Sequence, residues 1–143
     1  MRYQAVRAAV ESPLQTAFGA LSPAVPVFFD NITAAPANST TEYVKVSVEF
    51  GLTTEQTLES NLDRIRGSII VRIYTEKGKG PARNQTLIDT AVTTVLTLSA
   101  STRAATGVYL RPGPINGPTF STTETSPHLV GRFDTGFIAE DHG

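Results

Sequence analysis

From Arg2 to Leu21, apolar residues recur every three or four positions: Val6, Val10, Leu14, Phe18 and Leu21. That spacing puts them on one stripe of a helix. Pro13 interrupts the pattern. "SPLQ" offers Ser12 as an N-cap, Pro13 as a first helical residue and Gln15 at the capping-box position. The segment therefore reads as a kinked helix or as two short ones, ended by Gly19 and "LSP". Val25 to Phe29 reads as a short strand, with Pro23 and Pro26 keeping its start at an edge.

Strict alternation comes next. In "YVKVSVEF", Val44, Val46, Val48 and Phe50 face one way, and Lys45, Ser47 and Glu49 the other. In "RIRGSIIVRIY", Ile65, Gly67, Ile69, Val71 and Ile73 share one face. Arg64, Arg66, Ser68, Arg72 and Tyr74 share the opposite one. Both segments are half-buried strands of the antiparallel kind. Residues 51–62 between them fit either a hairpin extension or a flexible arm. Pro81 to Leu98 predicts the main helix, with Leu87, Ile88, Ala91, Val92, Val95 and Leu96 as its apolar face. Strands follow at Gly107–Arg111 and Leu129–Ile138. The stretch from Pro112 to Pro127, "PGPINGPTFSTTETSP", reads as a long turn-rich loop. Strand runs and hairpins outnumber strand–helix alternation. The expected fold is α+β, a mainly antiparallel sheet with helices packed on one face. No repeat or boundary interrupts residues 1–143, so a single domain is expected.

Composition narrows the chemistry. The chain is 40% hydrophobic but only 17% charged, with a net charge of -1. A freely acting DNA binder carries a basic excess, and this chain has none. Cysteine is absent, which removes disulfides, thiol nucleophiles and thiolate metal sites. The N-terminal stretch is broken by Arg7, Glu11 and Pro13, and so predicts neither a signal peptide nor a membrane span. Asn31, Asn38 and Asn84 open N-x-[ST] triplets, which read as chance matches in a Thr-rich chain.

The glycine–lysine stretch "EKGKGPAR" has the look of a phosphate-binding loop. Its spacing fails the G-x-x-x-x-G-K-[ST] pattern, and proline stands at the hydroxyl position. A turn explains every residue: Gly78 and Gly80 permit positive φ, and Pro81 suits the first turn of a helix. His128 has no nucleophile motif to serve. His142, beside Glu140 and Asp141, reads as part of a solvated acidic tail. No catalytic, cofactor or metal residue is expected. The candidate surface is instead the face bearing Arg64, Arg66 and Arg72, extended by Lys77 and Lys79. It reads either as a solvated outer face of the sheet or as a contact surface.

Three stretches in order, "VPVFFDN", "EYVKVSVEFG" and "RIRGSIIVRIYTEKGKGPARNQTLIDTAV", resemble the tail terminator-like proteins of tailed bacteriophages. The matching marks are Asn31, Tyr43, Arg66–Gly67, Gly78 and Gly80. The likeness spans about half the chain and stops before Pro112. It implies a structural virion protein rather than an enzyme, made in the host cytoplasm and placed at the tail–neck junction. Such a protein forms a homo-oligomeric ring, usually of six copies, that caps the tail tube, meets the neck connector, and lets DNA pass without specific binding. It needs no cofactor and no membrane. Subunit contacts are then expected between Arg64, Arg66, Arg72, Lys77 and Lys79 and acidic residues of the next copy, Glu55, Glu59 or Asp63. Two other readings stay open: a head–tail connector or tail-completion protein, and a small monomeric module binding a glycan or host surface. An enzyme built on a carboxylate or His128 cluster ranks behind them.

Overall fold

The computed structural model describes residues 3–21, 24–30, 42–55, 63–78, 80–98, 108–122 and 128–141. Its elements run α1 (Tyr3–Gly19), β1 (Val27–Phe28), β2 (Tyr43–Glu55), β3 (Asp63–Glu76), α2 (Ala82–Leu96), β4 (Val108–Ser121) and β5 (His128–Asp141). The strands form one sheet in the order β1-β2-β3-β5-β4. All pairings are antiparallel except β1 with β2, a two-residue parallel match of Val27 to Val44 and Phe28 to Lys45. The expected α+β class, with a mainly antiparallel sheet and its helices on one face, is what the chain adopts.

The core follows from the alternation. Val44, Val46, Val48, Ile65, Ile69, Val71, Ile73 and Phe133 are buried on one sheet face. Against them lie Val6, Val10, Leu14 and Phe18 of α1 and Leu87, Ile88, Ala91 and Val95 of α2. α1 is one helix through Pro13, not two. Pro13 has no N–H to donate to the carbonyl four residues back. Buried residues on both sides of it, Val10 and Leu14, keep the two halves on one surface. Ser12 is therefore a mid-helix residue rather than a cap. The stripe of α2 runs from Ala91 to Val95 and is continued just past the helix by Leu98, which is fully buried; Leu96, one residue off that line, is 52% exposed.

β4 differs most from expectation. Residues Pro112 to Ser121, read from sequence as loop, continue the strand and pair with β5. Register shifts occur between Pro112 and Ile115 and between Asn116 and Thr119. The strand tolerates Pro112, Pro114 and Pro118 because it lies at the sheet edge, where a missing N–H costs no ladder bond, and because bulges absorb the irregularity. Gly117 takes φ +102°, which a side chain would disfavour. The buried Thr135 hydroxyl lies 3.0 Å from the Gly113 carbonyl inside the first bulge, supplying a donor there. Residues 51–55 extend the hairpin, with Glu55 opposite Asp63; residues 56–62 lie outside the described set.

A side-chain plug closes part of the β2 edge that β1 leaves open. Asp30 accepts a 3.2 Å bond from the Val48 N–H, and Arg7 donates to the Val48 carbonyl at 3.2 Å. The two side chains join each other at 2.6 Å. Burial works to raise the Asp30 pKa, but hydrogen bonds from Arg7, Val48 and Ser47 and the Arg7 charge outweigh it, so the carboxyl sits below its ordinary value. Glu11 moves the other way, because burial outweighs Arg7. As pH falls, Glu11 protonates first and slightly favours the folded form. Asp30 then protonates through its lowered pKa, and the tether it contributes above its unfolded pKa is lost. The pair is partly solvent-accessible, with Asp30 40% exposed, so its contribution to global stability is small. Locally the effect is larger: Asp30→Ala should speed hydrogen exchange at the Val48 amide about five- to tenfold. An unchanged rate would show that the plug does not protect the edge.

Candidate interaction surface

The sheet face opposite the helices carries the charge. Register places Lys45, Arg72 and Arg132 side by side on β2, β3 and β5. Like charges directly across strands repel. Two of the three are partly relieved: Lys45 Nζ lies 5.7 Å from the Tyr74 ring centroid, and Arg132 is 3.2 Å from Asp134. Arg72 has no ion-pair partner among the described residues.

The other predicted cations fare differently. Arg64 is neutralised within the chain by Glu140, at 2.7 Å from Nη2 and 3.2 Å from Nε. Arg66, one step along the same face, is exposed and makes no ion pair among the described residues. Lys77 is exposed in the turn beyond β3, and Lys79 lies outside the described residues. Glu55 and Asp63 are backbone register partners at the end of the hairpin, while Glu59 is outside the described set. Alternation thus brings Arg64, Arg66 and Arg72 to one face as expected.

Sequence reading missed Lys45, Arg111 and Arg132 as members of this surface. They join it only through strand register. Arg66 and Arg111 both lie opposite Ile138, from strands on either side of β5. Beside them is a hollow of about 360 Å³ bordered by Arg66, Arg111, Pro112, Gly113, Gly136 and Ile138.

At the far end of the same face, Tyr43 stacks on Tyr74 with centroids 4.3 Å apart, and His128 meets both rings edge-on. Burial and the nearby Tyr74 raise the Tyr43 pKa. His128 is only 6% exposed, held in aromatic packing rather than presented in a cleft. His142 lies outside the described residues. Among the described residues, no three His, Asp or Glu side chains gather where they could hold a metal. No helix of the described residues is long and apolar enough to cross a membrane.

At the "GKGP" stretch Lys77 and Gly78 form a turn, Gly78 and Gly80 take φ +90° and +80°, and Pro81 precedes α2. Asn84, of the third N-x-[ST] triplet, is wholly buried. Its Nδ2 donates to the Ile73 carbonyl at 2.9 Å, and lies 3.1 Å from both Thr75 Oγ1 and the Leu129 carbonyl. It ties α2 to two strands and cannot reach a glycan in this fold.

No protein-family model matches the chain, and no curated protein matches it. Solved structures do. A protein whose structure carries no functional description is 22% identical over 97% of this chain and 96% of its own, with a TM-score of 0.67. That likeness is one of fold. The sheath/tube terminator of an extracellular contractile injection system, in its extended state, is 13% identical, with a TM-score of 0.42. This chain is aligned over 96% of its length but spans only 56% of that protein.

Proposed function

We propose that this chain is a tail terminator-like structural protein, one copy of a homo-oligomeric ring that caps a tail tube and meets the neck. The observation that carries the reading is the two-sided build. One sheet face is sealed by α1 and α2, while the other is uncovered by any described element and carries an unbalanced row of cations. Such a face is stable alone but gains from an acidic neighbour. The element order supports the same reading, since the edge strand, the alternating pair and the glycine turn follow each other as the resemblance requires. The likeness to the injection-system terminator is too slight to argue from.

The sheet edges bear on how copies would meet. Pro112, Pro114 and Pro118 deny donors along β4, which blunts that edge against strand addition. Beyond Val48, the edge of β2 that faces away from β3 has no described strand neighbour, and Leu52 there is 71% exposed. A head-to-tail ring built from the cationic face and the β2–β3 hairpin end satisfies both facts. DNA would pass through such a ring without specific binding, in keeping with the net charge of -1. No catalytic role is assigned. A neck connector or completion protein of the same fold is the nearest alternative. The test is to polymerise tail-tube protein with the chain present. Tubes should end in a bound cap and stop lengthening; tubes of unchanged length without bound chain would count against the assignment.

A further inference from the structure

We propose that the hollow beside Arg66 and Arg111 is a socket for a carboxylate side chain of a second copy of this chain. The proposal rests on the ring reading above and names the contact that would hold neighbouring copies together.

The socket is built by an omission. Along β5 the uncovered face bears His128, Val130, Arg132, Asp134, Ile138 and Glu140; only Gly136 supplies no side chain. Opposite Gly136 lies Ser68 on β3, and the β4 side is the bulge between Pro112 and Ile115, where no residue pairs with it. A floor of backbone, Pro112 and Ile138 results. Arg66 and Arg111 rise about two strand spacings, or ~10 Å, apart on either side of Ile138. A carboxylate entering over Gly136, one row along from them, could accept from either guanidinium, and the apolar floor would strengthen that attraction relative to open water.

The choice of occupant follows from charge. Among the described residues, cations outnumber carboxylates on this face: Lys45, Arg64, Arg66, Arg72, Arg111 and Arg132 against Glu49, Glu76, Asp134 and Glu140. Off this face, Glu11 and Asp30 are paired with Arg7 and Glu42 with Arg83, while the exposed Asp89 of α2 has no ion-pair partner among the described residues and is a carboxylate that a head-to-tail neighbour would present. Arg64, already paired with Glu140, flanks the socket without competing for it.

Gly136 also makes the test clean. A β-carbon there would meet nothing nearer than the Gly67 carbonyl oxygen, at 3.8 Å, an ordinary contact. Gly136→Leu should thus fold and melt like the parent while filling the hollow. Particle mass is measured by light scattering, with and without tail-tube protein, for the parent, Gly136→Leu and Arg66→Gln. The parent should assemble, and both variants should need at least about tenfold more protein to do so. If the parent assembles and Gly136→Leu does so equally well, the socket is wrong and the ring reading stands. If Gly136→Leu is impaired but Arg66→Gln is not, the occupant is not a carboxylate, and the proposal fails. If Gly136→Leu still forms rings but no longer binds tube protein, the occupant belongs to the tube, which also overturns it. A parent that never assembles removes the ring reading and the socket with it.

Discussion

Gly131→Ala should destabilise the chain by about 3–5 kcal/mol, lowering the melting temperature by roughly 10 °C or more. A β-carbon at Gly131 would overlap Oδ1 of Asn84 and stand 2.7 Å from Ile88 Cδ1. Both belong to the buried face of α2. Asn84 is fully enclosed, and its Oδ1 has no hydrogen-bond partner among the described residues, so its place is set by its Nδ2 contacts to β3 and β5. Moving the amide aside breaks those bonds and leaves the Ile73 and Leu129 carbonyls short of a donor. Leaving it in place forces α2 away from the sheet. Denaturant unfolding checks the size of the loss. A double-mutant cycle checks the cause: in an Asn84→Ala background, Gly131→Ala should cost much less. Simple additivity would show that the two positions do not compete for the same space.

Gly67→Ala is the second large effect, again about 3–5 kcal/mol. Gly67 lies on the core face of β3, opposite Phe50 on β2 and Phe137 on β5. With no side chain between them, the two rings meet edge-to-face across the strand at 6.5 Å. A β-carbon would overlap the Glu49 carbonyl oxygen and sit 2.6 Å from Phe137 Cζ. The ring could turn, but the carbonyl belongs to β2 and cannot move without opening the hairpin ladder. Gly136→Ala, at a neighbouring row of the sheet, meets no such obstacle and should be neutral or slightly stabilising, because strand glycines ordinarily weaken a strand. Unfolding midpoints for the two variants should therefore fall on opposite sides of the parent or nearly so. Equal losses would mean that strand propensity, not close approach, governs both sites.

Parts of this were legible in the chain and parts were not, for physical reasons. Alternation in "YVKVSVEF" and "RIRGSIIVRIY" fixed which residues face the core, because a side-chain period of two leaves one arrangement that buries the valines and isoleucines. It therefore also brought Arg64, Arg66 and Arg72 to one face. The α1 stripe was equally plain. The extent of β4 was not. Proline and glycine argue against a strand only where both ladder sides are used, and nothing local says that a segment will lie at an edge. Register was hidden too: that Arg111 and Arg66 flank the same Ile138, or that Lys45, Arg72 and Arg132 line up, depends on how distant strands slide against each other. Asn84 looked like a chance glycosylation triplet because burial is a property of the assembled layers. Leu96 is as apolar as its neighbours, but it projects one residue off the line of Ala91, Val95 and Leu98, and apolarity alone does not say which side of a helix edge the core reaches.

The measurement that bears most directly on the account is the native mass and shape of the particle, by light scattering with negative-stain imaging, first alone and then with tail-tube protein. A closed ring of identical copies under either condition is the predicted result. A chain that stays monomeric in both and leaves tubes uncapped would contradict it, and glycan binding would then be the property to examine.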